Sequence, residues 1–511
     1  MQTFNQAIEA VEAYSPSEER FNRRRRTAGL ALAPAAFVLF LLLPLPLAVP
    51  AHRMAAIMAL VVVLWMTEAL PMAVTAMVGP VLAVVMGVSE ARAALAPFAD
   101  PIIFLFIGSF ILAQAMFVHG VDRRIAYSAL SLPMVGASAT RVLIVYGAVA
   151  TCLSMWISNT ATTAMMFPIG LSIVNHLSRV APRDERARRD VRRFAIAMML
   201  ITSFGASVGG MATPVGTPPN LIGIGMLDRI AHVRVSFFAW TALGLPLVAV
   251  LYAFLAILFS VTSAGTMRIG EGSSAIVASE LRKLGRVSVA ERNVLVAFGL
   301  TVLLWVTPGF ITAAGLDDTG LGRGYERILP EGVVAMIGAF TLFVLPVDWR
   351  SRKFTLTWDQ AVRIDWGIVY LYGGGLSLGA LSFSTGLAEA TGQAVTHWLP
   401  THTTFTLTTL FTGVSILLSE TTSNTTSANM VVPIAIAVAQ AAGVRPIEPA
   451  LGATLGASMG FMMPVSTPPN AIVYSSGYIP ITSMMRYGVA LDLVAFVLIV
   501  LVVTLGAPVL F

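Results

Sequence analysis

The sequence predicts an all-α, polytopic membrane protein made of two inverted copies of one unit, and three observations carry that expectation. Of 511 residues, 57% are hydrophobic and only 11% are charged, about half the charged share of an ordinary soluble domain. Apolar runs of roughly the 20 residues needed to cross a bilayer recur along the whole chain and leave no room for a separate soluble domain. Four groups of residues in the first half also return, in the same order, in the second half.

The apolar runs lie near residues 28–50, 54–70, 72–88, 102–118, 140–176, 194–228, 237–261, 292–313, 331–347, 366–387, 405–441, 448–480 and 485–511. Loop charge sets their orientation. Arg123 and Arg124 follow the fourth run, and the segment from Arg179 to Arg193 carries seven arginines against three acids. Arg282, Lys283 and Arg286 follow the seventh run; Arg350, Arg352 and Lys353 follow the ninth. The alternate loops, 89–100 and 441–448, hold only Arg92 and Arg445. The positive-inside rule therefore puts the N-terminus in the cytoplasm, and topology, not nucleic acid, accounts for the net charge of +6. The polar stretch 1–26, acidic at Glu9, Glu12, Glu18 and Glu19 and ending in four arginines, reads as a cytoplasmic tail and not as a signal peptide. A lone cysteine, Cys152, excludes an intramolecular disulfide framework and a cysteine-based metal site.

Two runs, 140–176 and 405–441, are interrupted near their middles by polar residues, the pattern of a re-entrant hairpin whose tip is buried in protein. Proline and glycine break the 194–228 and 448–480 runs. The expected architecture is thus about eleven transmembrane helices plus two helical hairpins.

The internal repeat explains the pairing of these breaks. Leu70-Pro71 through Gly79 matches Leu329-Pro330 through Gly338 at a shift of 259. Gly108, Leu112, Phe117 and Gly120 match Gly374, Leu378, Phe383 and Gly386 at 266. Ser158-Asn159-Thr160 matches Ser423-Asn424-Thr425 at 265. The segment Gly210-x-x-x-Pro214-Val215-x-Thr217-Pro218-Pro219-Asn220 matches the one from Gly460 to Asn470 at 250. Loop charge places the base of the first hairpin in the cytoplasm and that of the second outside, so the copies are inverted, and inverted repeats with broken helices mark transporters.

These motifs have a clear chemistry. Ser154 and Ser158, like Ser419 and Ser423, lie four apart and share a helix face; with the following asparagine they offer hard oxygens to a small cation. After each tip a new helix presents free N–H groups and a positive dipole end, a favourable place for an anion. In the broken helices, Pro214, Pro218 and Pro219 remove the donors of the carbonyls at Gly210, Pro214 and Val215, and the second copy does the same at Gly460, Pro464 and Val465. Asn220 and Asn470 can tie that unwound backbone through their amides. Small residues in isolation usually pack helices; two duplicated motifs, all at helix interruptions, point instead to a site.

Other features read as structural. Gly373-Gly374-Gly375 sits in an apolar span and suits close helix packing. Gly320, Gly322 and Gly324 have no preceding strand, which argues against a nucleotide fold. Glu68 and Glu420 are intramembrane acids, functional by default, although Glu420 is equally suited to pinning its hairpin by a hydrogen bond. No intramembrane His/Asp/Glu cluster or nucleophile–base pair suggests an enzyme.

The two Ser-Asn-Thr tips and two Thr-Pro-Pro-Asn breaks resemble those of the divalent anion/sodium symporter family, which carries dicarboxylates, citrate or sulfate, and the resemblance runs from about residue 28 to the C-terminus. It implies a homodimer in the inner membrane, each protomer with scaffold and transport domains working as an elevator. The division is then a tail at 1–27, scaffold at 28–136, transport domain at 137–261, a cytoplasmic linker at 262–291, scaffold at 292–400 and transport domain at 401–511. It implies one sodium near Ser154, Ser158, Asn159 and the backbone of Gly216, and a second near Ser419, Ser423, Asn424 and the backbone of Ser466. Substrate carboxylates would meet Asn159, Thr160, Thr217, Asn424, Thr425, Thr467 and Pro468. With no Arg or Lys among these residues, a dianion such as succinate, malate or fumarate needs Na⁺ beside it; no organic cofactor is implied. Sodium-independent dicarboxylate exchange and sulfate transport use the same architecture, and the motifs leave both open.

Overall fold

In the computed structural model, which describes residues 16–133, 135, 138–180, 184–264, 272–316, 319–398 and 403–511, the chain is built almost wholly of helices. Helix α1 (Pro16–Leu42) runs without a break through the four arginines, so the basic segment and the first apolar run are one helix; residues 1–15 of the expected tail and 265–271 of the expected linker lie outside the described residues. There follow α2 (Val49–Thr67), α3 (Met72–Val85), α4 (Pro101–His119), α5 (Val121–Leu130), α6 (Ala139–Ser154), α7 (Asn159–Val180), α8 (Glu185–Gly209), α9 (Pro218–Ala231) and α10 (Phe237–Phe259). The second half supplies α11 (Val289–Ala313), α12 (Glu331–Val344), α13 (Trp366–Ser384), α14 (Leu387–Trp398), α15 (Thr404–Thr421), α16 (Asn424–Ala441), α17 (Ile447–Gly456), α18 (Pro468–Tyr474) and α19 (Ile481–Leu510). Shorter helices, among them Gly272–Lys283 and Gly320–Ile328, fill the connections. Among the described residues, seven helices are long and apolar enough to cross a membrane. They lie in α1, α2, α4, α8, α10, α11 and α19, while α3, α6 and α12 are shorter apolar helices.

Local chemistry fixes the helix ends. At α4, Asp100 accepts a hydrogen bond from Ile102 N at 3.0 Å, Pro101 takes the first helical position, and Gly120 closes the helix at φ 69°. At α11, Ser288 and Glu291 form a reciprocal capping box. The one departure from an all-α fold among the described residues is a two-stranded antiparallel ribbon, Pro346–Asp348 against Lys353–Phe354. Its turn is held by Asp348, which accepts from Arg350 N and Ser351 Oγ, and the Ser351 bond foremost lowers that carboxyl below the usual range.

The repeat governs packing across the two halves. Gly108 of α4 lies so close to α12 that an added Cβ would sit 2.5 Å from the Ala335 carbonyl carbon. Its counterpart Gly374 of α13 stands against α3, where a Cβ would sit 2.3 Å from Ala76 O. Ala76 and Ala335 are themselves repeat partners, so each half clasps the other with the same residues. The glycine run at 373–375 serves this close approach: a Cβ on Gly373 would strike Phe98, and one on Gly375 would strike Asn429. Glu68 also has a structural place. It ends α2 in the left-handed region (φ 49°) and pairs with Arg25 of α1 at 2.7 Å.

The hairpins pack against the broken helices. Gly205 and Gly209 let α8 lie on Thr151 of α6, and Gly452 and Gly456 let α17 lie on Thr412 of α15. Side chains from these four helices, α10 and the stretch after α17 merge into one buried apolar core, which includes Tyr146, Phe204, Phe259, Phe411 and Phe461.

Candidate functional site

At the first hairpin, α6 ends at Ser154 and α7 starts at Asn159, so the Ser-Asn-Thr motif forms the tip. Ser154 Oγ donates to Asn159 Oδ1 at 2.7 Å, and Ser158 Oγ accepts from Ala161 N at 3.3 Å. Opposite the tip the chain unwinds between Gly209 and Pro218. Asn220 Nδ2 ties this stretch, donating to Gly210 O at 2.9 Å and Thr213 O at 2.8 Å. Thr213 Oγ1 in turn donates to Met155 O, joining break to tip. The fit is close: a Cβ on Gly210 would lie 2.3 Å from Asn159 Oδ1, and one on Gly216 would lie 2.5 Å from Gly210 O and 2.9 Å from Ser154 O. Side-chain and main-chain oxygens of Ser154, Asn159 and Gly210 thus converge where only glycine leaves space.

The second copy repeats this frame. Ser419 Oγ stands 2.8 Å from Asn424 Oδ1 and 2.7 Å from Ala457 O, and Ser423 caps α16 by accepting from Thr426 N at 3.2 Å. Asn470 Nδ2 donates to Gly460 O and Met463 O, both at 3.0 Å. A Cβ on Gly460 would lie 3.1 Å from both Asn424 Oδ1 and Ser419 Oγ. Glu420 has no counterpart in the first copy. Its Oε1 accepts from Phe461 N and Met462 N at 2.5 and 2.9 Å, and its Oε2 lies 3.1 Å from Met462 N and 2.8 Å from Ser466 Oγ. The carboxylate therefore pins hairpin to break, one of the two roles open to it in the sequence.

The prolines act differently from the sequence expectation. Gly210 O and Gly460 O are not stranded, because the Asn220 and Asn470 amides take them. Pro218–Pro219 and Pro468–Pro469 occupy the first two positions of α9 and α18, where no helical donor is lost, so they start helices instead of stripping carbonyls.

Both tips and both breaks face one cavity of about 600 Å³. Asn159, Thr160, Thr217, Asn424, Thr425, Thr467 and Pro468 all line it, as do Ser158, Ser423 and Ser466. Ser154, Ser419 and Gly216 are buried and lie outside its lining, so the candidate cation oxygens sit behind the wall that the candidate anion residues present. The first residues of α7, α9, α16 and α18 line this one space; α9 and α18 open on Pro-Pro and have no N–H there, so what they offer an anion is the positive end of the helix dipole, while α7 and α16 also begin with residues that carry N–H groups. The opposite wall, which sequence reasoning missed, comes from Met72, Gln114, Phe117, Arg363 and Asp365. Phe117 lay in the repeat without an assigned role; Arg363 lay in a polar connection with no motif. Arg363 is the cavity's one basic lining residue among those described; its Nε donates to Asp359 O at 3.1 Å, and Asp365 is occupied in capping α13.

A multi-pass helical protein with paired hairpin tips and paired helix breaks around one cavity has the architecture found in membrane transporters, and comparison with known proteins points to that class. A family model described as the sodium:sulfate symporter transmembrane region matches residues 24–511. The chain is 31% identical over 484 residues to the sodium-dependent dicarboxylate transporter SdcS of Staphylococcus saprophyticus subsp. saprophyticus, covering 94% of this chain and 91% of that protein. It is 30% identical over 497 residues to SdcS of Staphylococcus aureus (strain USA300), with coverage of 94% and 91%. The protein belongs to the divalent anion/sodium symporter family. In overall fold it is similar to the YdaH transporter of Alcanivorax borkumensis (TM-score 0.52, 11% identity, 81% of this chain and 85% of that one). It is likewise similar to MtrF of Neisseria gonorrhoeae (TM-score 0.54, 12% identity, 82% and 83%).

Proposed function

We propose that the protein carries small dicarboxylates across the inner membrane together with Na⁺, by an elevator motion of the hairpins and broken helices against the remaining helices. The observation that carries this reading is the layering of the site: neutral donors and four helix N-termini around one cavity, with converging oxygens of Ser154, Asn159 and Gly210, and of Ser419 and Asn424, directly behind. A dianion seated on Asn159, Thr160, Asn424, Thr425, Thr217, Thr467 and Pro468 brings two negative charges beside those oxygens. Na⁺ held near Ser154, Ser158, Asn159 and Gly216, and near Ser419, Ser423, Asn424 and Ser466, offsets them, so each cargo tightens the other electrostatically. Carrying more sodium charge than substrate charge couples uptake to the membrane potential at about 2.3 kcal/mol per charge per 100 mV.

The cavity, about 600 Å³, has room for a four-carbon dicarboxylate. Arg363 and Asp365, both exposed, mark its mouth. They follow the basic segment that loop charge assigns to the cytoplasm, which makes this an inward-open arrangement with the N-terminus cytoplasmic. The cross-clasped helices α3, α4, α12 and α13 form the fixed scaffold of a homodimer in this reading. The deciding experiment is uptake of labelled succinate, citrate and sulfate into proteoliposomes, with and without a sodium gradient and with internal substrate. Succinate uptake driven by inward Na⁺ is the expected result. Uptake that needs internal carboxylate and ignores Na⁺ would make the protein an exchanger, and sulfate as the preferred cargo would overturn the substrate class.

A further inference from the structure

Arg363 and Asp365 mark the open mouth of the cavity, and the repeat names the residues that stand at the matching place on the opposite side. Met72, Ala113 and Leu371 line the cavity; at the shifts of 259 and 266 their repeat partners are Glu331, Gly379 and Leu105. Those partners are covered. Leu105 is 1% exposed, a Cβ on Gly379 would lie 3.3 Å from Ile230 Cδ1 of α9, and Glu331 accepts a hydrogen bond from Phe237 N at the start of α10. The covering groups belong to the hairpin-and-break unit, and the covered ones to the helices assigned to the scaffold.

One ion pair crosses the same seam. Asp100 caps α4 through Oδ1, which accepts from Ile102 N at 3.0 Å, and its Oδ2 accepts from Arg229 Nη1 of α9 at 3.2 Å. The two side chains are 10% and 33% exposed, so the pair is less screened than one on an open surface. Arg229 directly precedes Ile230, the residue that lies over Gly379. Asp365 holds the matching cap on α13, the repeat partner of α4: its Oδ1 accepts from Ile368 N at 3.3 Å, and it lines the open cavity. Loop charge puts the segment that ends at Asp100 outside. The same acid of the two copies thus stands free at the inner mouth and tied to Arg229 on the outer side.

We propose that Asp100 and Arg229 are positioning residues that form an outer latch: their ion pair holds α9 on the scaffold in the inward-open state and parts before the cavity opens outward. When the hairpin unit moves, the seam over Gly379 and Leu105 opens, and Asp100 takes the exposed place that Asp365 holds now. The latch rests on the elevator and inward-open readings given above.

The test reads how often the outer seam opens. Gly379→Cys in a Cys152→Ser background is labelled with a membrane-impermeant maleimide in right-side-out vesicles. With the latch intact, labelling is slow and follows the minor outward-open population. Asp100→Asn keeps an oxygen for the α4 cap and loses the charge, and Arg229→Gln loses the partner; each speeds labelling about fivefold. Arg229→Lys keeps the charge and stays within about twofold, and the double variant Asp100→Asn/Arg229→Gln is no faster than either single one. Ala113→Cys, labelled from the cytoplasmic side, separates a latch from general loosening, because its rate stays within about twofold in all variants. Unchanged labelling of Gly379→Cys, a lysine variant as fast as the glutamine one, multiplying effects in the double variant, or faster labelling of Ala113→Cys overturns the latch. Should Asp100→Asn elute as aggregate, the lysine and glutamine variants of Arg229 decide. If Gly379→Cys stays unlabelled in every variant while the same vesicles take up labelled succinate, the elevator reading falls and the latch with it; slow labelling that the variants leave unchanged overturns the latch alone.

Discussion

At the first hairpin Ser154 donates to Asn159, and at the second Ser419 donates to Asn424, but the residue after the serine is Met155 in one copy and Glu420 in the other. The backbone frame is shared. Asn220 and Asn470 each clamp two carbonyls of an unwound stretch, ten and seven residues before them. The ties from break to tip differ in kind: Thr213 bonds the neutral carbonyl of Met155, whereas Ser466, Phe461 and Met462 bond the Glu420 side chain. A second inequality runs the same way. Asn470 Oδ1 accepts from Ser203 at 2.5 Å, and Asn220 Oδ1, equally buried, has no partner among the described residues. Holding a helix open needs the same hydrogen bonds in both copies, since every unwound N–H and C=O must be satisfied away from water. Charge beside the cluster carries no such constraint, and the two copies differ there. We expect the second cluster, with an acid beside it, to be the stronger of the two proposed cation sites.

Removing either tip amide has the largest expected effect. Asn159→Ala and Asn424→Ala each remove a side chain proposed to serve both cation and anion cargo, at about 1.5–3 kcal/mol per charged hydrogen bond. Labelled dicarboxylate uptake in proteoliposomes should therefore fall at least about a hundredfold. Near-normal uptake in one variant would break the two-tip site and leave a single functional hairpin.

Glu420→Gln sharpens the comparison next. It should raise the half-saturating Na⁺ of succinate uptake by about tenfold, because it deletes the charge beside the second cluster. Met155→Gln, at the matching place, should change it less than about twofold. Equal responses would mean that the carboxylate serves only to pin the hairpin.

The asparagine clamps should differ in stability. Asn470→Ala gives up two donated bonds and the one from Ser203; Asn220→Ala gives up two. The extra bond is worth about 1 kcal/mol, so thermal unfolding in detergent should come earlier for Asn470→Ala, and Ser203→Ala should remove most of the difference. A lower melting temperature for Asn220→Ala would reverse the asymmetry.

The smallest effect belongs to the wall. Arg363→Gln removes the cavity's basic side chain at an exposed mouth, where the field is screened. The substrate KM measured from the cytoplasmic face should rise about two- to threefold, and the KM from the outer face should hold. A change on both faces would place Arg363 in the site itself.

What the sequence by itself determined is local. Hairpin tips and helix breaks are interruptions of helical pattern within a few residues, and their duplication separates a site from packing that would otherwise look the same. The residues it named stand around one cavity or directly behind its wall. Charge balance along the loops and the close-packing glycines were legible for the same reason, since each depends on composition or on a single face of one helix. Tertiary structure decided what depends on distance across the chain. It placed Glu420 on donors 41 to 46 residues away, paired Glu68 with Arg25, brought Arg363 to the cavity and left both buried oxygens of Asp492 without a hydrogen-bond partner among the described residues. None of these residues lies in a repeated motif, and although Glu68 and Glu420 stand out as acids in apolar runs, no pattern along the chain names their partners. A buried charge is assigned its role by whichever donors the packing brings to it, and that is settled only when the helices meet.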